Sequence, residues 1–223
     1  MRLIKPYTEI LNKVDGMERL KFLELCGRVC YKSEDLITDD SAKSLITAIV
    51  KRGHESVLEH VSMSVRFVCD RGVSHELVRH RLCAFSQEST RYCDYSKDKF
   101  NKEITFIIPP WVDVKEGVYK LNGTTPFSLE SDWGANNCWF HSLLVSEIRY
   151  FSMLKEWSPQ QARSVLPNSL KTEIIVTANL REWKHIFRLR TAKEAHPQMA
   201  ELMRPLLDEF KTIFPIIYDE INY

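Results

Sequence analysis

At 223 residues, with 44% hydrophobic and 27% charged side chains, the chain has the composition of one globular domain and not of a disordered segment. A formal net charge of +1, from 31 basic and 30 acidic residues, argues against a general nucleic-acid binder. No apolar run reaches the roughly 18 residues of a membrane span, and Met1-Arg2-Leu3-Ile4-Lys5-Pro6 carries no secretory core, so six cysteines without a CxxC pair read as reduced, packed thiols of a cytoplasmic protein.

In chain order, a first helix is expected over roughly 17–30, through Leu20, Leu23 and Cys26–Cys30. A second covers 39–52, where Asp39, Asp40 and Ser41 offer N-caps, Ala42, Leu45, Ile46 and Ile49 recur at helical spacing, and Gly53 supplies the stop. Val61, Met63, Val65 and Phe67 alternate with polar residues, which predicts a strand over 61–68 with one buried face. A short helix is expected around 73–82, carrying His75, Glu76, Arg79, His80 and Arg81. Residues 104–108 form a second strand, stopped by Pro109-Pro110, and the polar stretch 113–131 with Asn122-Gly123 reads as a surface excursion. From Trp133 to Trp157 the chain supports one long helix, with Trp133, Trp139, Phe140, Tyr150, Phe151 and Trp157 as its core aromatics. A β-branched strand follows over 172–178, then a helix over 180–190 and another beginning at Pro197, which Pro205 should kink or interrupt. Without repeats or a linker, this is a single α+β domain over 1–223.

The chemistry concentrates in Arg79-His80-Arg81-Leu82-Cys83-Ala84-Phe85-Ser86-Gln87-Glu88-Ser89-Thr90-Arg91-Tyr92. Its bases are all arginine or histidine, and the side chains between them include hydroxyls and an amide. Arginine's planar fork suits phosphate, so the segment reads as an anion site, with a salt-bridged surface as the alternative. None of the seven glycines forms a GxG, so no Rossmann cradle exists and side chains would have to hold a phosphate. His54-Glu55-Ser56-Val57-Leu58-Glu59-His60 resembles the HExxH zinc motif only loosely, because histidines six apart are offset by about 240° on a helix. No metal is expected. Cys83 and Cys93 read as packing residues, and Ser89, with no Ser–His–acid pattern, as a ligand hydroxyl. Two other function classes stay open on residues alone: a phosphate or nucleic-acid binding module, and a metallohydrolase.

Arg79-His80-Arg81, seven residues and Ser89, continued by Thr90-Arg91-Tyr92, resembles the signature of the flavin-dependent thymidylate synthases. Arg28-Val29-Cys30-Tyr31, His54-Glu55-Ser56 with Glu59-His60, and the stretch from Arg163 to His196 resemble the family too, leaving out mainly 110–135. The resemblance implies an α+β domain with a mainly antiparallel sheet packed against helices, and reductive methylation of dUMP to dTMP. The one-carbon donor would be 5,10-methylenetetrahydrofolate and the reductant NADPH, acting through FAD. It implies FAD contacts from Ser56, Arg79, His80, Arg81, Gln87, Asn179, Arg181 and His185. It implies dUMP contacts from Glu76, Leu77, Val78, Arg79, Gln87, Glu88, Ser89, Thr90, Arg91, Arg163 and Arg190, with Arg190 activating the uracil and His54 near folate and flavin. It also implies a homotetramer whose FAD sites are shared between subunits. Gln87 stands where many members carry Glu, Glu76 where many carry Gln, and the spacing from Arg190 to His196 is slightly longer than in some members.

Overall fold

The computed structural model describes residues 1–12, 14–120 and 134–223. The elements are β1 (Arg2–Ile4), β2 (Tyr7–Ile10), α1 (Gly16–Val29), α2 (Ser41–Lys51), β3 (Ser62–Asp70), α3 (Arg71–Leu77), β4 (Ala84–Gln87), β5 (Thr105–Ile107), β6 (Gly117–Val118), α4 (Ala135–Met153), α5 (Pro159–Ala162), β7 (Lys171–Asn179), α6 (Leu180–Arg190) and α7 (Pro197–Ile213), with short 3-10 turns between them. A three-stranded sheet runs β5-β1-β6 and a four-stranded sheet β2-β3-β7-β4. β1 is parallel to β5 and antiparallel to β6. The class is the expected one, a mixed fold in which an antiparallel sheet packs with helices.

The helices form where their caps and apolar faces dictate. Asp15 Oδ1 accepts the Met17 and Glu18 N–H groups and so opens α1. Gly16 is obligatory there, because a Cβ would sit 1.6 Å from the Ile213 carbonyl oxygen. α2 stops before Gly53, whose φ of +71° suits glycine. β3 runs to Asp70 and departs from the expected half-buried strand, since Phe67, Val68, Cys69 and Asp70 are buried in succession. The long helix is shorter than its composition suggests, with Leu154–Trp157 in turns after α4; Trp133 and most of the expected excursion lie outside the described residues. Pro205 does not interrupt α7, whose buried Met199, Leu202, Met203, Leu206, Leu207 and Phe210 hold one continuous helix. β1, β2, β4 and β6 had no counterpart in the periodicity: each spans four residues or fewer, too short for alternation to register.

The chain divides into two compact units. The first, Met1–Tyr7, Phe67–Leu77 and Ser86–Ile174, is cored by Leu3, Tyr95, Phe106, Phe140, Leu143, Leu144 and Tyr150. The second, Thr8–Arg66, Val78–Phe85 and Ile175–Tyr223, is cored by the rings of Trp183, Phe187, Phe210, Phe214 and Tyr218. Its buried polar tips are satisfied: Trp183 Nε1 donates to the Met63 carbonyl at 3.1 Å and Tyr218 Oη to the Leu180 carbonyl at 3.2 Å. Lys184, fully buried on α6, is held by Glu55 at 2.6 Å and Glu220 at 3.0 Å.

Candidate active site

In the second unit the Arg79-His80-Arg81 block lies in the turn that leads into β4, not on the helix expected over 73–82. That helix ends at Leu77 and starts earlier than expected, where Asp70 Oδ1 caps it by accepting the Val73 N–H at 2.7 Å. The turn separates the three side chains: Arg79 and Arg81 are exposed, whereas His80 is 6% exposed. The Arg190 Nε–H donates to His80 Nε2 at 3.0 Å, and His80 Nδ1 lies 3.8 Å from Glu182 Oε1. The His185 ring stands edge-on at 5.8 Å. Burial, then the Arg190 charge and His185, push the His80 pKa down to about 4, so the ring is neutral near pH 7. Because Nε2 accepts, the ring proton is assigned to Nδ1.

Around this ring α6 presents a cleft of about 620 Å³, lined by Glu55, Glu59, Leu82, Asn179, Arg181, Glu182, His185 and Arg188. Asn179 caps α6, its Oδ1 accepting the Glu182 N–H at 2.9 Å. Arg181 pairs with Glu59 at 2.5 Å, and Arg188 pairs with Glu220. His54 follows α2 and is exposed; Ser56, also exposed, sits in a 3-10 turn (Glu55–His60) packed against α6. Burial raises the Glu182 carboxyl above the usual range. It also pushes the neighbouring Cys83 thiol up to about 12, with help from Glu182, which leaves no thiolate for nucleophilic chemistry. His80, Glu182 and His185 bring potential ligand atoms within 4.8 Å of one another, but the Arg190 guanidinium on His80 sets a fixed positive charge against any cation there.

In the first unit, Gln87 ends β4 and its Nε2 donates to Ser74 Oγ at 2.9 Å and Thr172 Oγ1 at 3.2 Å. Ser74 Oγ already donates to the Arg71 carbonyl, so an amide donor suits this position better than a carboxylate would. Glu88 is tied down by Lys171 Nζ at 2.9 Å and the Tyr95 hydroxyl at 3.0 Å, while its N–H donates to the Glu173 carbonyl in β7. The Ser89 carbonyl accepts the Tyr92 and Cys93 N–H groups, closing a turn that leaves Arg91 exposed over the Tyr92 ring. Thr90 is buried, and its Oγ1 accepts from Arg163 NH1 at 3.0 Å. Glu76 is half-buried and Leu77 buried in this unit, while Val78, in the second, is exposed.

A family model described as thymidylate synthase complementing protein matches residues 12–216. The chain belongs to that family. A flavin-dependent thymidylate synthase of Pyrococcus abyssi is 32% identical over 180 residues, which cover 80% of this chain and 66% of that protein. Another, of Mycobacterium sp. strain JLS, is 31% identical over 213 residues, covering 90% of this chain and 79% of that one. The crystal structure of PolB, a UMP/dUMP methylase from Streptomyces cacaoi bound with 5-Br dUMP, shares the fold with a TM-score of 0.72 at 20% identity, over 98% of this chain and 96% of that one.

The residues expected from the family's signature thus fall into two sets. The second unit brings together His80, Asn179, His185 and Arg190, with Arg181 on the same cleft, and the first brings together Gln87, Glu88, Ser89, Thr90 and Arg163. Glu182, Lys171, Ser74 and Thr172 were not anticipated. Glu182 looks like an ordinary acidic residue of a first helical turn, and Lys171 like a strand-flanking lysine. Only tertiary burial reveals either, because the signal is a partner distant in sequence.

Proposed function

We propose that the chain is a flavin-dependent thymidylate synthase that reductively methylates dUMP to dTMP, with 5,10-methylenetetrahydrofolate as one-carbon donor and NADPH as reductant through FAD. The observation that carries the reading is the family match over residues 12–216. When bound, flavin and folate supply the hydride and one-carbon chemistry, and the chain's task is to bind, orient and polarise.

The donor set fits such a cofactor. The cleft of the second unit offers an exposed apolar face at Leu82, hydrogen-bonding groups at Asn179, Arg181 and His185, and room of about 620 Å³. Arg79 and Arg81, exposed beside the buried His80, are the cations proposed to meet the cofactor's anionic groups, with Ser56 and Gln87 contributing. Uracil C5 is a weak nucleophile until negative charge gathers over the N3–O4 edge, and Arg190 is the fixed cation proposed to stabilise that charge. Arg91 and Arg163 are proposed for the dUMP phosphate, with Arg163 pre-set by Thr90 and with Glu76, Leu77, Val78, Glu88 and Ser89 shaping the nucleotide's surroundings. His54 is proposed as a contact near folate and flavin.

We further infer a homotetramer with FAD sites shared between subunits and a cytoplasmic location. Exposed Phe22, Leu25 and Val29, an apolar stripe at helical spacing on α1, supports the first. Six cysteines, none of them in a disulfide, support the second, and no helix among the described residues is long and apolar enough to cross a membrane. The decisive assay adds FAD, then NADPH without oxygen, then dUMP and methylenetetrahydrofolate. Bleaching of the flavin followed by dTMP formation is expected, and no dTMP from the complete mixture would refute the reading. Light scattering of the holoenzyme checks the tetramer.

A further inference from the structure

Arg190 is useful to a pyrimidine edge only if its plane is set in advance. A guanidinium turns as a rigid plate about its side-chain stem, so a partner on Nε–H fixes both the position and the roll of the plate. That partner is His80, whose Nε2 lies 3.0 Å away. The anchor is itself immobilised: His80 is 6% exposed, its Nδ1 faces Glu182 at 3.8 Å, and the His185 ring closes its side at 5.8 Å. Glu182 sits in the first turn of α6 and Arg190 in its last, so one ring bridges the two ends of that helix. The partner's charge matters as well. A carboxylate on Nε would hold the plate but set a negative charge against it, whereas a neutral imidazole holds it without adding a negative charge of its own.

We propose that His80 is a positioning residue for Arg190, its unprotonated Nε2 fixing the guanidinium plane through the Nε–H. The inference rests on the role given to Arg190 above. It separates His80 from its neighbours in the signature: the exposed Arg79 and Arg81 are placed to reach ligands, and the buried His80 acts through another side chain.

The test measures the rate of dTMP formation per mole of bound flavin in the holoenzyme for His80→Ala, His80→Gln, Arg190→Ala and the His80→Ala, Arg190→Ala pair. His80→Ala is expected to lose on the order of 10–100-fold in kcat, the cost of a misplaced catalytic group. Gln carries a carbonyl that can accept the same N–H, so His80→Gln is expected to recover most of that loss. In the double variant the His80 change should add nothing to Arg190→Ala. Multiplying losses, or a Gln variant no faster than Ala, would overturn the positioning role. A full rate in Arg190→Ala would instead overturn the role of Arg190. Nitrogen-15 NMR of histidine-labelled holoenzyme adds a readout that needs no variant to fold. The His80 ring should carry its proton on Nδ1 near pH 7, and a proton on Nε2 would overturn the proposal, because that nitrogen could no longer accept.

Discussion

Each of the two compact units holds its cations in two ways. In the second unit Arg190 Nε is held by the neutral ring nitrogen of His80, and in the first unit Arg163 is held by the hydroxyl of Thr90. Close by in each unit stand cations held by carboxylates: Lys184 between Glu55 and Glu220, and Lys171 between Glu88 and Glu173. A neutral acceptor orients a cation without cancelling its charge, whereas a carboxylate does both. The first arrangement suits a group that must meet an anion; the second ties elements together. The contrast sets Arg190 and Arg163 apart from Lys184 and Lys171; Arg181, paired with Glu59 and still proposed as a cofactor contact, lies outside it.

The largest expected effect breaks the comparison at its strongest point. Arg190→Ala removes a cation whose value rises as charge develops, so dTMP formation should fall by about 10²–10³-fold. NADPH should still bleach the flavin, because that half-reaction does not need charge over the pyrimidine. Absorbance and product assays, run separately, check both. Near wild-type dTMP formation would remove Arg190 from the chemistry. Next in size is the pair Arg79→Ala, Arg81→Ala. A charge-assisted contact contributes about 1.5–3 kcal/mol, so the double variant should purify pale and need much more added FAD to turn yellow. Full flavin retention would show that these exposed arginines serve something else.

The first unit offers a finer test. Arg163→Ala should weaken dUMP binding while leaving deoxyuridine binding nearly unchanged, if the side chain meets the phosphate. Thr90→Val, which removes only the hydroxyl that orients Arg163, should reproduce part of that loss. Titration calorimetry with the two ligands measures both, and equal losses for nucleotide and nucleoside would mean that Arg163 acts in folding. Gln87→Glu tests the frame. The carboxylate cannot donate to Ser74 Oγ, whose own proton is committed to the Arg71 carbonyl, so a cost of about 1–3 kcal/mol is expected in denaturant titration. An unchanged midpoint would mean that the hydroxyls re-form their network around the acid.

How much of this could be read beforehand depended on whether the signal was local. α6 was expected over 180–190 and is found at Leu180–Arg190, because its Asn179 cap and apolar face are written in consecutive residues. The Arg79 to Arg91 cluster stood out as a candidate anion segment for the same reason. The placement of Arg79, His80 and Arg81 was not: helical spacing suggested continuation, and the Asp70 cap that starts α3 early lies upstream of the pattern. Nor could the sequence show that His80 would be buried between Glu182 and Arg190. That depends on a contact across 110 positions, and no periodicity records it.

The smallest expected effect concerns pH and isolates the anchor itself. His80 is faced by Arg190 at Nε2, Glu182 at Nδ1 and the His185 ring. Burial first, then Arg190 and His185, lower its folded-state pKa to about 4, against about 6.5 in an unfolded chain. Between those values the unfolded state binds more protons, so stability rises with pH across the window and is lost on acidification from about 6.5 toward 4. Glu182, raised by burial, contributes in the opposite sense, since the folded state then takes up its proton more readily. A simple acid titration of the wild type therefore mixes the two. Comparison with His80→Gln removes one of them: the variant keeps an acceptor for Arg190 but has no ring to protonate. Its melting temperature should fall less steeply than the wild type's between pH 6.5 and 4, the two curves diverging by a few degrees, while they run parallel above pH 7. Parallel curves throughout would show that the His80 ring is protonated as easily in the folded protein as in the unfolded one. The neutral anchor, and with it the distinction between poised and framing cations, would then fail at Arg190.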